Sequence, residues 1–360
     1  MATARFRGPV LPNGEPADLY VVDGRITREP QPGAETAAEG WIVPGLVDAH
    51  NHLGLEDWGA VDDAATEEQA VADRDNGVLL LRDCGSPADT RWVHDRDDLP
   101  RLIRCGRHLA RTKRYIRNYA HEIEPSELPE YVAREARRGD GWLKLVGDWI
   151  SREEGDLTPS FPAEAAAAAI ATAHEHGAQV TAHCFGTDSL SPLLEAGIDC
   201  IEHGTGLTAG HIEQMVAQRV ALVPTVLQTD KYPEYVAAAR EKFPAYAATM
   251  EDLHRQRRDV LMAAYEAGVE LYVGSDGGGT TRHGCLHEEI VAMADLGLPA
   301  EYVLGAASWR GREWLGWNAT LEEGAPADFV VYPRDPLADL SVLREPTCVV
   351  LRGVVVAAGG

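Results

Sequence analysis

The chain has 360 residues, of which 45% are hydrophobic and 25% are charged, as in a folded globular protein with one large domain or a large and a small one. Its 57 acidic and 33 basic residues give a formal net charge of −24, so its averaged field repels the phosphates of nucleic acids and anionic membranes. The N-terminus "MATARFRGPVLPNGEP" has no apolar core of signal-peptide length, and no stretch approaches the roughly 20 apolar residues of a membrane span. We therefore expect a cytoplasmic protein without nucleic-acid or membrane partners.

The two ends of the chain share a pattern of short β-type runs. Residues 1–44 contain "ADLYVVDGRIT", with an Asp-Gly turn between two runs, and residues 322–360 contain the similar "ADFVVYPRDPL". We predict that both ends together form a small, β-sandwich-like domain beside the main one.

Residues 45–321 repeat a different pattern, in which a helix-ending glycine precedes a short apolar run and a polar loop. Four clear copies begin near Gly77, Gly177, Gly197 and Gly268. Less regular strands begin at Gly45, Pro100, Gly141 and Arg219. Eight β/α units predict an α/β fold of the (β/α)8 TIM-barrel type, with a doubly wound open sheet as the alternative.

Helical segments separate these strands. Ser126 and Pro162 are candidate helix starts, and a long helical stretch covers about Tyr232 to Ala267. The six cysteines are scattered without a CxxC pair, which indicates reduced core residues and no zinc knuckle.

The working residues of a TIM barrel lie at the carboxyl ends of its strands. Four of the 13 histidines fall there, together with a lysine and an aspartate. The set comprises His50, His52, Lys144, His183, His203 and Asp276.

The spacing of His50 and His52 permits a metal-binding fork, because residues i and i+2 of a strand point to the same side. Taken alone, the pair could equally be two loop histidines. The other residues at the strand ends favour a metal site.

Several motifs occur in an order that resembles a known family. They are "PGLVDAHNHL", "VTAHCFG", "IEHG", "VPT", "GSDGG" and "HGCLHEEI". Over essentially its whole length the chain resembles the amidohydrolase superfamily of metal-dependent hydrolases, and within it the imidazolonepropionase-like and Xaa-Pro dipeptidase-like branch.

Lys144 alternates with Leu143 and Leu145 and is therefore expected to point into the barrel, where an ammonium group is costly to bury. The neutral amine is the form that adds CO2. The resemblance implies that Lys144 is carboxylated by CO2 and bridges two zinc ions. The alternative is an ion pair with Asp148 or Asp276.

The resemblance also implies a role for each candidate ligand. His50, His52 and Asp276 would hold the first metal ion, His183 and His203 the second, and carboxylated Lys144 would be shared. Imidazole-rich ligands favour zinc.

The implied reaction is hydrolysis of an amide, peptide-like or ester bond by a metal-bridging hydroxide. Asp276 would act as general base and acid, and His203 is grouped with it among the catalytic residues. The alternatives are a mononuclear deaminase or cyclic-amide hydrolase with unmodified Lys144, and a metal-free scaffold.

A basic tract with tyrosines follows the third strand. It is a candidate clamp for a substrate carboxylate, or else a solvated loop or an interface. Candidate substrate-binding residues in this tract are Arg114, Tyr115, Arg117 and His121. Further candidates in other loops are Trp149, Gln228, Tyr232 and His283. The expected partner is a small-molecule substrate, and the sequence leaves a homo-oligomer open.

Overall fold

The computed structural model describes residues 4–359, which form a barrel and a separate sheet. The strands are, in chain order, β1 (Ala4–Val10), β2 (Glu15–Val22), β3 (Arg25–Thr27), β4 (Glu35–Glu39), β5 (Trp41–Pro44), β6 (Leu46–Glu56), β7 (Gly59–Ala60), β8 (Val78–Asp83), β9 (Arg101–Arg104), β10 (Leu109–Arg111), β11 (His121–Ile123), β12 (Trp142–Val146), β13 (Asp148–Ser151), β14 (Asp156–Pro159), β15 (Gln179–Cys184), β16 (Cys200–His203), β17 (Ala221–Val223), β18 (Gly277–Gly279), β19 (Phe329–Tyr332), β20 (Cys348–Leu351) and β21 (Val354–Ala358). The α-helices are α1 (Asp63–Asp75), α2 (Leu128–Arg138), α3 (Ala163–Glu175), α4 (Leu190–Glu195), α5 (Ala209–Gln218), α6 (Val226–Thr229), α7 (Tyr232–Ala239), α8 (Pro244–Ala267), α9 (Leu286–Asp295), α10 (Ala300–Ala306) and α11 (Trp309–Trp314). Short 3-10 helices cover Thr90–Asp95 and Leu340–Arg344.

Eight parallel strand segments close into a barrel. On one side β6 pairs with β8 and β8 with β9, and on the other β12, β15, β16 and β17 pair in order. Between these groups, β9 and β10 count as one segment, because β10 follows β9 and pairs with β12 through Leu109. The eighth segment, residues 271–279, is hydrogen-bonded to Leu222 of β17 and to Ala49 of β6. This ring confirms the TIM-barrel prediction and excludes an open sheet, which would have two free edges.

The barrel interior is filled at the amino ends of its strands. The inward-facing apolar side chains there include Val47, Leu80, Ile103, Trp142, Ala221 and Tyr272. Trp314 of α11 stacks on Tyr272 with a ring-centroid distance of 4.1 Å. This packing leaves the carboxyl end of the barrel for polar groups.

The alternation of inward-facing side chains along β6 is interrupted near its carboxyl end. Ala49 packs in the apolar interior, whereas His50 and His52 line a cavity at the carboxyl end. The pairing of β6 with β8 shifts register between Asp48 and Asn51. A β-bulge of this kind re-aims the side chains that follow it, so both imidazoles can face the same cavity.

The two ends of the chain form one mixed sheet in the order β21-β20-β19-β5-β1-β2-β3, with β4 beside β1. β19 pairs antiparallel with β5, which joins the C-terminal part to the N-terminal part. The sheet curls until Arg25 of β3 bridges to Pro326, and Phe6 packs edge-on against Phe329 at 4.8 Å. The small domain is thus a curved sheet around its own apolar core, which gives it a sandwich-like interior.

Two helix predictions were wrong in detail. The single stretch Tyr232–Ala267 is divided into α7 and α8, because Pro244 lacks an amide hydrogen and begins a new helix. Ser126 does not cap α2, which begins two residues later without a side-chain cap. Both differences lie outside the barrel strands, so they leave the barrel unchanged.

All six cysteines are buried and unpaired within residues 4–359, as predicted for core residues. Over the same described range, no helix combines the length and the apolarity needed to cross a lipid bilayer.

A buried carboxylate joins the terminal sheet to the barrel. Oδ2 of Asp328 accepts hydrogen bonds from Arg101 Nε at 2.7 Å and Arg312 Nη2 at 3.3 Å. Oδ1 of Asp328 accepts a hydrogen bond from the backbone amide of Arg352 at 2.7 Å. Burial opposes ionisation, but the two guanidinium groups outweigh it and lower the pKa of Asp328. Since Arg101 belongs to β9 and Arg352 follows β20, this carboxylate connects both parts.

We expect Asp328→Asn to lower the free energy of unfolding by about 3–5 kcal/mol, because it leaves the buried guanidinium group of Arg312 and the partly buried one of Arg101 without their counter-charge. Urea denaturation measures the loss, and Asp259→Asn, at an exposed site on α8, should change it by less than about 0.5 kcal/mol.

The folded-state pKa of Asp328 is lowered, so its stabilisation is present above the unfolded pKa and is lost as pH falls through the folded value. The difference between wild type and Asp328→Asn should therefore shrink in acid. A difference that stays constant from pH 7 to about 3 would contradict this role.

Candidate metal centre and active site

Two histidines of β6 and the aspartate of the eighth segment meet at the carboxyl end of the barrel. The Nε2 atoms of His50 and His52 lie 3.2 Å apart, and each lies 3.1 Å from Oδ1 of Asp276. At this spacing one cation could be held by all three atoms. The structure thus brings together the residues predicted for the first metal ion.

The other ring nitrogen of each histidine fixes its orientation. His52 Nδ1 donates a hydrogen bond to the Gly85 carbonyl at 2.7 Å. His50 Nδ1 makes an electrostatic contact of 2.8 Å with Oε2 of Glu202. A hydrogen on each Nδ1 would leave the lone pair of each Nε2 for a cation held beside Asp276.

The residues predicted for the second metal ion also lie together. Nδ1 of His183 is 2.9 Å from Nε2 of His203. The Thr225 hydroxyl donates to the Pro224 carbonyl at 2.8 Å, and it therefore accepts from Nδ1 of His203 at 2.6 Å. Nε2 of His203 is consequently free to bind a cation.

The charge state of these imidazoles suits metal binding. Burial lowers the pKa of His52, lowers that of His203 to about 3, and lowers that of His183 well below its usual range. For His50, burial acts in the same direction, but the neighbouring carboxylates outweigh it and raise the pKa. Burial therefore favours the neutral form, which a metal ligand must have, in His52, His183 and His203.

Lys144 lies in β12, beside these two groups. Its Nζ atom is 3.4 Å from Nε2 of His50, and its side chain is 1% exposed. Within residues 4–359, Lys144 forms no ion pair with Asp148 or Asp276. The alternative of a simple salt contact is therefore not what the structure shows.

Three strand ends carry strained backbone at this site. His203, Thr225 and Asp276 adopt left-handed conformations with φ of 68°, 46° and 54°. Such conformations cost about 1–3 kcal/mol each in non-glycine residues and tend to occur at functional sites. Gly274 allows the last strand to approach β6, since a Cβ atom there would lie 2.5 Å from Cβ of His50.

A buried ion pair supports the site from below. Arg82 Nη2 donates to Oε1 of Glu202 at 2.6 Å, and the Thr181 hydroxyl donates to the same oxygen. The guanidinium group lies 4.6 Å from the ring centroid of Trp142 and 4.9 Å from that of Trp314. Burial would raise the pKa of Glu202, but Arg82 and its neighbours lower it well below its usual range, so Glu202 is an anion beneath His50.

A cavity of about 450 Å³ opens above the histidines. Its floor comprises His50, His52, Lys144, His183, His203 and Asp276. All six candidate ligands thus reach a space large enough for a small organic molecule.

The amidohydrolase family model matches residues 103–356. The chain belongs to this family. It is 51% identical over 349 residues to an uncharacterized protein of Mycobacterium tuberculosis strain H37Rv, covering 96% of this chain and 94% of that protein. Its fold is similar to that of a Xaa-Pro dipeptidase with bound methionine (TM-score 0.82, 20% identity, 100% of both chains). It is also similar to that of A. niger ochratoxinase (TM-score 0.81, 19% identity, 100% of this chain and 96% of that chain).

Three of the predicted substrate-binding residues of this amidohydrolase line the cavity. They are Tyr115, Trp149 and Gln228. Tyr115 packs edge-on against Trp149 at 4.8 Å, and both rings flank His183.

The predicted carboxylate clamp is absent from the described cavity lining. Arg114 donates to the carbonyl oxygens of Trp149 and Thr158 at 2.7 and 2.8 Å, so its guanidinium group braces the β13–β14 hairpin. Arg117 is exposed outside the lining. Neither arginine belongs to the cavity lining, which agrees with the alternatives of a solvated loop or an interface.

Three further candidates also lie outside the cavity lining. His121 pairs with Glu135 of α2 at 3.1 Å. His283 pairs with Asp73 of α1 at 2.9 Å and so anchors the last loop. Tyr232 is fully buried, with its hydroxyl 3.1 Å from that of Thr205. Each side chain finds a polar partner within the packing of the protein and does not reach the substrate space.

His108 is a residue of the site that the sequence analysis missed. Its ring stacks on that of His52 at 5.2 Å with an 11° interplanar angle. Burial lowers its pKa well below the usual range, and neither ring nitrogen has a hydrogen-bond partner within residues 4–359. His108 follows shortly after β9, so the rule that placed the other histidines could have found it, whereas His121 was chosen.

We expect Glu202→Gln to weaken zinc binding by about 10–100-fold, because it removes the carboxylate that orients His50. Competition with a chromogenic chelator measures the affinity. Glu213→Gln, at an exposed position of α5, is the matched control and should bind zinc as the wild type does.

The loss of one partner of a buried ion pair can also impair folding. The double variant Arg82→Met/Glu202→Gln removes both charges and provides a second test. Zinc affinity within twofold of wild type in either folded variant would contradict the orienting role of Glu202.

Proposed function

We propose that this amidohydrolase is a binuclear metal-dependent hydrolase that cleaves an amide, peptide-like or ester bond of a small molecule. The observation that carries the proposal is the presence of two ligand sets on one cavity floor. The rings of His50 and His203, one from each set, have centroids 5.3 Å apart. Nε2 of His50 lies 3.1 Å from Asp276, and Nε2 of His203 lies 2.9 Å from His183, so the residues fit two cations.

The environment of Lys144 favours a site with two cations over a site with one. Its buried amine has no carboxylate partner in the described structure, although it lies 3.4 Å from a candidate metal ligand. Addition of CO2 would convert it into a carbamate, an anion suited to the space between two cations. Imidazole-rich ligands of this kind favour zinc over magnesium.

When bound, the two cations would acidify a water molecule and polarise a carbonyl group. Asp276 would move the protons. Burial opposes its ionisation, but the imidazoles of His50 and His52 outweigh it and lower the pKa of Asp276 well below its usual range. Asp276 is therefore a carboxylate that can accept a proton from the attacking water and pass it to the leaving group.

A carbon–nitrogen bond is the preferred target. One structural relative is by name a Xaa-Pro dipeptidase, which supports a peptide-like bond for this chain. The apolar walls above the floor would limit access of bulk water to the reacting groups.

We expect Asp276→Asn to lower kcat/KM by at least about 100-fold, because the amide cannot act as the proton acceptor. The assay is a panel of amides, N-acyl amino acids, carbamates and lactones with zinc and bicarbonate, and zinc content is measured alongside. Asp295→Asn, at an exposed position of α9, is the matched control. Hydrolysis that survives chelator treatment or Asp276→Asn would contradict the proposal.

A further inference from the structure

The walls of the active-site cavity are mainly aromatic and aliphatic. Tyr115 and Ile116 come from the loop after β10, and Trp149 and Ile150 come from the β13–β14 hairpin. The roof, defined as residues 226–246, contributes Tyr235, Ala238, Ala239, Phe243 and Tyr246. Three separate parts of the chain therefore present an apolar surface to the same space.

The roof is stabilised by apolar contacts and by hydrogen bonds to a neighbouring hairpin. Tyr232 and Val236 of α7 pack with Met250 of α8 and with Phe185, which also lines the cavity beside His183. Tyr246 donates its backbone amide to Gly155 at 3.1 Å, and Thr249 donates to Asp156 at 3.0 Å. These bonds join the roof and the first turns of α8 to the β13–β14 hairpin, so the apolar walls are set by the fold.

Charged groups are scarce in these walls. Apart from the candidate ligands on the floor, the one charged residue in the described cavity lining is Lys242, which is exposed at the rim. Arg114 is occupied by backbone carbonyls, and Lys231 donates to the Thr281 hydroxyl at 2.6 Å. The chain as a whole carries a formal charge of −24. Lys242 at the rim is thus the one cation of the described walls that a substrate carboxylate could meet, and deeper in the cavity the carboxylate would be desolvated without a charged wall partner.

An aromatic substituent fits the same surface. The rings of Tyr115 and Trp149 meet edge-on at 4.8 Å, and those of His183 and Phe185 lie 4.2 Å apart. Rings placed in this way offer both edges and faces to a further ring, and burial of its apolar area favours binding. The volume of about 450 Å³ lies within the range of pockets that hold small organic ligands.

We propose that the substrate is an uncharged amide that bears an aromatic group, which lies against Trp149 and Tyr115 beneath the roof. This inference rests on the proposed hydrolytic function. It replaces the carboxylate-bearing substrate that the basic tract had suggested. The polar groups above the floor are mainly neutral hydroxyl and amide groups, among them those of Tyr115, Tyr235 and Gln228.

The first test compares two substrates of nearly the same shape, neutral 4-benzamidobenzamide and anionic 4-benzamidobenzoate, with the zinc-loaded enzyme. Chromatography of the released amine gives kcat/KM. We expect the neutral compound to be preferred by at least roughly tenfold, because the carboxylate must be desolvated in an apolar cavity. Equal kcat/KM values for the two compounds would overturn the inference, and so would a preference for the carboxylate that is lost in Lys242→Met. Either result would still support the proposed hydrolytic function.

The second test uses Ala239→Phe, which narrows the roof, and Ala237→Phe, which places the same ring on the exposed side of α7 outside the lining. We expect Ala239→Phe to weaken binding of benzanilide to the zinc-loaded protein at least tenfold and Ala237→Phe to leave it unchanged. Binding with this pattern but without hydrolysis of any substrate would support the aromatic pocket and refute the proposed function. Equal binding by both variants would refute the pocket.

Discussion

The anionic Glu202 under the barrel mouth is the constraint on which the rest of the site depends. A carboxylate with no exposed surface requires compensation, and here it receives Arg82 from below, Thr181 from the side and His50 from above. The last contact, 2.8 Å from Glu202 to Nδ1 of His50, orients the ring so that Nε2 lies towards Asp276. The aromatic rings of Trp142 and Trp314 hold the guanidinium group in position, so packing at the bottom of the barrel reaches the ligands at the top.

The barrel and its loops divide the chemistry between them. Strand ends position the candidate ligands, with a bulge in β6 and left-handed residues at three other strand ends directing side chains into one space. The loops and the roof then determine which molecule can enter. Because the cations Arg114 and Lys231 are used to hold these segments together, the walls that remain are apolar. The protein's own packing thus determines the polarity of its pocket.

The pattern of apolar and polar residues along the chain was sufficient to predict the barrel and to select the candidate ligands. Strands buried on both faces appear as apolar runs, and polar residues that interrupt such runs at the carboxyl end stand out, as His183 and Asp276 do. The same rules could not show which partner a loop cation would find. Arg114 and His283 are residue types that often bind substrates. In the structure they bind Thr158 and Asp73 instead, and these partners are distant in sequence. The role of Glu202 was equally hidden, because Arg82 lies 120 residues away.

We propose that this site holds two metal ions with carboxylated Lys144 between them. The most direct measurement is to load the protein with zinc in the presence of ¹³C-bicarbonate, count the ions per chain by mass spectrometry, and record the ¹³C spectrum. Two ions per chain and a carbamate signal that disappears in Lys144→Met are the predicted result. One ion per chain with no carbamate signal would contradict the claim.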